Sequence, residues 1–219
     1  CLSRGLGDVY KRQAFQYSLF AFANLFVQSS VNSFDHVLVE GNSAAANADP
    51  LVYDMMAAFY TACSSFIAQN FGARKKKRIL QTYLICLFYS FITSLVLGVG
   101  IYLARYPFLY LFTSDKAVVE AGITRLSIMA LSYSASAFMD ASIAASRGLG
   151  KTAVPTFVVV MGSCVFRIIW IYTIFAYFHT IQSLYILYVF SWGITAIAEN
   201  IYFFHVYRHT LTGKTESHL

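Results

Sequence analysis

The chain has 219 residues, of which 58% are hydrophobic, 17% aromatic and only 12% charged, and its mean hydropathy is +0.59. A soluble domain carries roughly 25% charged residues, because water must solvate its surface, so this composition excludes an ordinary soluble globule and fits an integral membrane protein. The formal charge of +6 does not imply a nucleic-acid partner: its densest basic run, Arg74 to Arg78, separates two long apolar segments, where such residues orient a membrane protein.

In chain order, the first segment to set aside is Ser3 to Gln13, SRGLGDVYKRQ. Back-translated, it matches the transposase adaptor used to prepare short-read sequencing libraries. Residues 1–13 are therefore expected to be an adaptor-derived artefact, with the native sequence beginning near Ala14 and its true N-terminus missing. Gly5-Leu6-Gly7-Asp8 with Tyr53-Asp54 spells the two motifs of an intramembrane aspartyl protease. Their order is reversed here, and the first motif lies inside the artefact.

Crossing a hydrocarbon core of about 30 Å takes roughly 20 mostly apolar residues. Six windows meet that criterion: Phe15 to Phe34, Leu51 to Phe71, Ile79 to Ala104, Ile123 to Ser146, Ala153 to Phe178 and Ile181 to Tyr207. Phe108 to Ala121 is too short and too charged to span, and predicts an external loop with a short surface helix. The expected fold class is all-α: a polytopic membrane protein with six transmembrane helices in one bundle over residues 14–208, then a cytoplasmic tail over residues 209–219.

Lys and Arg resist translocation and mark cytoplasmic loops. Arg74, Lys75, Lys76, Lys77, Arg78, Arg147, Lys151, Arg208 and Lys214 follow the second, fourth and sixth spans. The opposite side holds Arg105, Lys116 and, at a helix end, Arg125, while its first loop carries Asp35, Glu40 and Asp49. Both ends of the native segment are thus expected in the cytoplasm, in a multi-pass protein of the plasma membrane. Pro155 falls at the start of the fifth span, where a missing N–H is tolerated, after the Gly148-Leu149-Gly150 turn. Small residues at Ser132 to Ala137 and Ala141 to Ser146 permit close helix approach.

Ionisable groups at membrane depth are expensive and face a cavity, a partner or the bundle interior. Those that break the apolar windows are Asp54, Asp140, Arg167 and Glu199. At 1.5 Å rise per residue, Asp140 lies about 9 Å from the cytoplasmic end, Glu199 about 12 Å and Arg167 about 20 Å. The long Arg167 stem could carry its guanidinium to Asp140 or Glu199. Such a set is either a structural ion pair or a site where Asp140 titrates or binds a cation during transport. Asp54, near the outer interface, can sit in water or cap a helix. Asn24, Gln28 and Asn32 recur along one face of the first span and either line a polar cavity or hydrogen-bond across helices. His36, His179, His205 and His209 lie at span ends without metal-ligand spacing. Cys63, Cys86 and Cys164 lie in apolar stretches as small hydrophobes.

Several segments together resemble the carboxy-terminal half of the multidrug and toxic compound extrusion (MATE) family. VQSSVNSF (Val27 to Phe34) followed by EGNSAAANAD (Glu40 to Asp49) looks like the family's seventh helix and the turn into its eighth. SSFIAQNFGARKKKRI (Ser64 to Ile79) is similar to the end of the eighth helix and its basic loop. SRGLGKTAVP (Ser146 to Pro155), then FRIIWIY (Phe166 to Tyr172), resembles the link between the tenth and eleventh helices. Three features depart from the family: amides replace a seventh-helix acid, Asp140 stands closer to the RG link than the tenth-helix aspartate of some members, and Asp35 replaces a common Gly.

The resemblance implies twelve-helix antiporters of two bundles, exporting cationic or amphipathic small molecules in exchange for Na+ or H+. The expected partners are a missing N-terminal six-helix bundle, the lipid bilayer and a small-molecule substrate. No nucleic acid, no cofactor and no catalytic residue is expected. The candidate substrate- or ion-binding residues are Asp140, Asn32, Gln28, Asn24, Glu199 and Arg167. Without a G-x-x-x-x-G-K-[ST] loop, the chain reads as a secondary transporter rather than a pump. The alternatives are a lipid-linked oligosaccharide flippase, which would want a cavity rich in Arg and Lys, and a non-catalytic membrane subunit.

Overall fold

The computed structural model describes residues 18–212, with side chains described to residue 209. The expected artefact at residues 1–13 lies outside the described residues, as does most of the expected tail. Among the described residues there is no strand. The helices are α1 (Ser18–Val31), α2 (His36–Ala46), α3 (Ala48–Gly72), α4 (Lys76–Leu103), α5 (Arg105–Tyr110) and α6 (Lys116–Gly148). They continue as α7 (Ala153–Phe178) and α8 (Ile181–Thr212).

Among the described residues, 5 helical stretches are long and apolar enough to cross a membrane: His36–Gly72, Lys76–Leu103, Lys116–Gly148, Ala153–Phe178 and Ile181–His209. The protein is a polytopic all-α membrane protein. The expected first span is described only from Ser18, as a shorter apolar helix.

Two spans start well before the hydropathy windows. Helices α2 and α3 form one 37-residue stretch, so Glu40 and Asp49, expected in an external loop, lie within helices and Asp35 stands just before the first of them. Asp35 caps α2, accepting the Leu38 N–H at 2.9 Å. The stretch breaks at Asn47, because Pro50 lacks an N–H and its ring clashes with the Ala46 carbonyl. The Asn47 amide donates to the Ser43 and Ala44 carbonyls at 3.2 and 3.1 Å there.

Helix α6 takes in the last part of the expected external loop, Lys116 to Ala121. It begins at Lys116, where Asp115 caps it by accepting the Ala117 N–H at 2.8 Å. The short surface helix is present as α5, slightly earlier than expected, and its Leu109 is fully buried. Its hydrophobic neighbours are Ala44, Ala45 and Ala48 at the α2–α3 junction and Val119 and Leu126 of α6.

Helix α6 is the hub: it packs against α2, α3, α4, α5, α7 and α8, and 67% of its apolar window is buried against 17% for α4. Its small residues permit this. Ala130, Ser132, Ser136, Ala137, Ala141, Ser142, Ala144, Ala145 and Ser146 are all buried. Leu84, Ile85, Phe88 and Val96 of α4 stay exposed, apolar side chains that acyl chains can solvate.

The α4–α6 crossing depends on Gly98, where a Cβ would sit 2.1 Å from the Ala130 carbonyl oxygen. Backbone cannot rotate out of the way. Gly98→Ala is expected to separate the two helices and destabilise the bundle by about 1–3 kcal/mol, read as a lower thermal unfolding midpoint in detergent.

Candidate functional site

A cavity of about 360 Å³ opens between α1, α3, α6, α7 and α8. Its wall is largely apolar and aromatic, with Phe20, Tyr53, Tyr60, Tyr188 and Trp192, and its polar groups are Asn24, Asp49, Asp140, Arg147 and Arg167. That combination, an apolar body with few convergent polar groups, is the usual make-up of a small-molecule site. A smaller cavity of about 130 Å³ adjoins it and shares Asn24 and Tyr188; Gln28, Asn42 and Arg125 complete its polar lining.

The aromatic wall is a packed set. Tyr53 stands edge-on to Tyr133 and Trp192, at centroid separations of 5.8 and 6.1 Å, and Tyr188 tilts against Trp192 at 5.6 Å. These are favourable aromatic geometries, and they fix the cavity wall before any ligand enters.

Of the residues singled out from sequence, Asp140, Asn24 and Arg167 meet at the main cavity, and Asn24 and Gln28 line the smaller one. Asn32 reaches neither. It follows the end of α1, exposed, and accepts a hydrogen bond from Gln28 Nε2 at 2.9 Å. The amide stripe is thus split, because the helix ends at Val31. Glu199 also lies outside both cavities. It is completely buried, and neither carboxylate oxygen has a hydrogen-bond partner among the described residues. Asp54 is exposed on α3.

The expected ion pair of Arg167 with Asp140 or Glu199 is not formed. Arg167 is only 2% exposed, yet it meets neutral groups: Nη1 donates to Asn24 Oδ1 at 2.9 Å and Nε to Ser191 Oγ at 3.4 Å. Its guanidinium lies over the Tyr188 ring, 4.5 Å from the centroid, a cation–π contact. The side chain turns toward α1 and α8, where amide, hydroxyl and ring π-face are all within reach.

The helix that carries Arg167 is irregular on both sides of it. Val160–Val165 and Ile171–Phe175 are wound as π-helix around the α-helical turn Phe166–Trp170. Such windings are rare and concentrate at functional sites. Helix α8 supports this one closely. Ser191 Oγ donates to the Gly162 carbonyl at 3.0 Å, and a Cβ on Gly162 would lie 2.3 Å from Thr195 Oγ1.

Asp140 has no ion pair or hydrogen bond among the described residues, and the charge of Arg147 acts both on it and on Glu199. Arg147, expected in a cytoplasmic loop, is instead in the last turn of α6 and lines the cavity.

A second buried network escaped the sequence reading. Arg125 donates from Nη2 to Asp49 Oδ2 at 2.5 Å and from Nη1 to Asn42 Oδ1 at 2.8 Å. The Tyr133 hydroxyl donates to the other Asp49 oxygen. Asp49 thereby joins the α2–α3 junction to α6 while it also borders the main cavity. Arg125, placed by its sequence position at a helix end, is buried at 7% exposure. Basic groups at the cavities are therefore more numerous than the single Arg167 expected.

A family profile for MatE matches residues 13–173. The chain belongs to the MatE family. This is the family that VQSSVNSF and SRGLGKTAVP resemble. Among solved structures, the MATE chain is similar to a MOP superfamily transporter from Pyrococcus furiosus whose binding pocket is described as of reverse polarity, suggesting a different function. The two share 18% identity and a TM-score of 0.84 over 93% of this chain and 46% of that one. It is also similar to the Vibrio cholerae MATE transporter VcmN in its bent form, at 18% identity and TM-score 0.84 over 95% of this chain and 48% of that one. A third is the MATE transporter ClbM in complex with Rb+, at 20% identity and TM-score 0.82 over 91% of this chain and 46% of that one. The chain spans about half the length of these structures. No curated protein sequence matches it.

Proposed function

We propose that this MATE bundle is the ion-coupling half of a secondary active efflux antiporter, which exports cationic or amphipathic small molecules in exchange for Na+ or H+. The observation that carries this reading is Asp140: a carboxylate without a hydrogen bond or ion pair among the described residues, lining a cavity of about 360 Å³ with aromatic walls. The other cavity carboxylate, Asp49, is already engaged by Arg125 and Tyr133. Asp140 is therefore the acid free to take a proton or a metal cation.

An antiporter needs one group that ion and substrate cannot occupy together, and a bundle that opens alternately to either side. Asp140 serves as that group. Ion uptake at its carboxylate favours the conformation that releases substrate, and substrate binding favours the one that releases the ion. A second six-helix bundle of the same protein would close the cavity on its open side, in the plasma membrane with both ends of the bundle cytoplasmic. The flippase alternative wants a cavity dominated by Arg and Lys. Here Asp49 and Asp140 stand among the arginines.

The test is dye export by the full-length protein in proteoliposomes under an imposed Na+ or pH gradient. Export that follows one gradient and stops when an ionophore collapses it is the expected result. Export that needs ATP, or that ignores both gradients, would reject the antiporter.

A further inference from the structure

Arg167 holds a charge that the fold leaves without a carboxylate. The ion pairs among the described residues are His36 with Glu40 and Arg125 with Asp49, so Arg125 is neutralised and Arg167 is not. Asn24, Ser191 and the Tyr188 ring supply dipoles and a quadrupole, but no negative charge. The hydrogen bonds of its guanidinium leave from Nη1 and Nε, and the residue, although almost fully enclosed, lines the main cavity.

A guanidinium buried at membrane depth is expensive unless a counter-charge reaches it. Its planar fork matches a carboxylate in geometry. The two π-helical windings that flank Phe166–Trp170 set this turn apart from the rest of α7. Tyr188, Trp192 and Phe20 line the same cavity and give it an aromatic wall for an aromatic ligand body.

We propose that Arg167 is the anion-recognition point of this cavity, and that the compounds it takes carry a carboxylate or another singly charged anionic group beside an aromatic body. This rests on the reading of the cavity as the substrate site. It narrows the amphipathic class to molecules with an acidic group, whose anion meets Arg167 while a basic group on the same molecule competes with the coupling ion for Asp140.

The test uses the full-length protein and a pair of fluorescent xanthene dyes, one with a free carboxylate and the other its methyl ester, with binding read by fluorescence anisotropy. A charge-assisted hydrogen bond in a desolvated site exceeds a neutral one by enough to give about tenfold, so the carboxylate should bind about tenfold more tightly than the ester. Arg167→Gln should bring the ratio of the two affinities to about one. Arg167→Lys, which keeps the charge but loses the fork, should retain part of the preference. The native comparison needs no variant, so a misfolded Arg167→Gln would not decide the outcome. Equal binding of the two dyes by the native protein, or a preference that survives Arg167→Gln, would overturn the proposal. A binding preference without gradient-driven export would count against the antiporter and leave the anion site standing.

Discussion

Replacing Asp140 with Asn in the full-length protein is expected to reduce ion-driven export to the background leak, while the protein still inserts and elutes as a single species. Asn matches Asp in shape and keeps its polarity, so the cavity wall it shares with Met139 and Ile143 should survive. What it loses is the negative charge and the ability to take up a proton. Because Asp140 carries no ion pair or hydrogen bond among the described residues, its removal strands no partner there, and the variant should keep native stability. Asp49 cannot substitute for it, since both its oxygens are committed. Export at the native rate would move coupling to another acid, and Glu199, buried with both oxygens unpartnered, would be the next to examine.

The largest effect on stability is expected at Arg125. Arg125→Met fills similar space but leaves the Asp49 carboxylate, only 27% exposed, facing a thioether. Breaking one partner of a buried pair costs about 3–5 kcal/mol, because the surviving charge stays desolvated, and the partial exposure of Asp49 places this case near the lower end. The unfolding midpoint in detergent should fall accordingly. A second comparison separates the pair from its neighbours. Arg125→Met combined with Asp49→Leu and Tyr133→Phe removes the cation, the anion and the donor together, so no charge or hydroxyl of that triangle is left unsatisfied and the Asn42 amide oxygen alone loses its Arg125 donor. Apolar replacement of a whole buried network is often neutral, and most of the lost stability should return. If the triple variant is as unstable as the sum of its single changes, the three residues act independently and the network is not a unit.

Much of this fold is legible in the sequence because bilayer length and apolar composition leave few options. Spans α4, α7 and α8 begin within a few residues of their hydropathy windows. Helix α2 and the start of α6 lie outside the hydropathy windows for one physical reason. Glu40, Asn42, Asp49, Lys116, Glu120 and Arg125 lower any running hydropathy average, yet a helix can carry such residues when they are exposed, as Glu40, Lys116 and Glu120 are, or when they satisfy one another, as Arg125 does with Asn42 and Asp49. That satisfaction is invisible in a local window. Arg125 and Asp49 are 76 residues apart in sequence, and Arg167 and Asn24 are 143 apart.

The site was legible in its most exceptional members. Asp140 and Arg167 break long apolar runs, and membrane depth alone makes such residues informative. Their relationship was not legible, since hydropathy cannot say which way a long side chain turns. Arg167 turned to an amide and a ring instead of an acid. Asn32 fell outside the site because α1 ends at Val31, one residue short of continuing the amide stripe. The π-helical windings around Arg167 have no sequence signal of their own, though Gly162 and Ser163 mark the stretch where α8 comes closest.

The central claim is that the cavity between α1, α3, α6, α7 and α8 is the path of the transported compound, open to each side in turn. It is tested most directly by thiol accessibility at Ala144, a small residue of the cavity wall, changed to Cys in full-length protein whose Cys63, Cys86 and Cys164 have been replaced. A membrane-impermeant thiol reagent should label this cysteine from either face of the membrane, and a transported dye should slow the labelling from both. Labelling from one face only, or labelling that a transported dye does not slow, would contradict it.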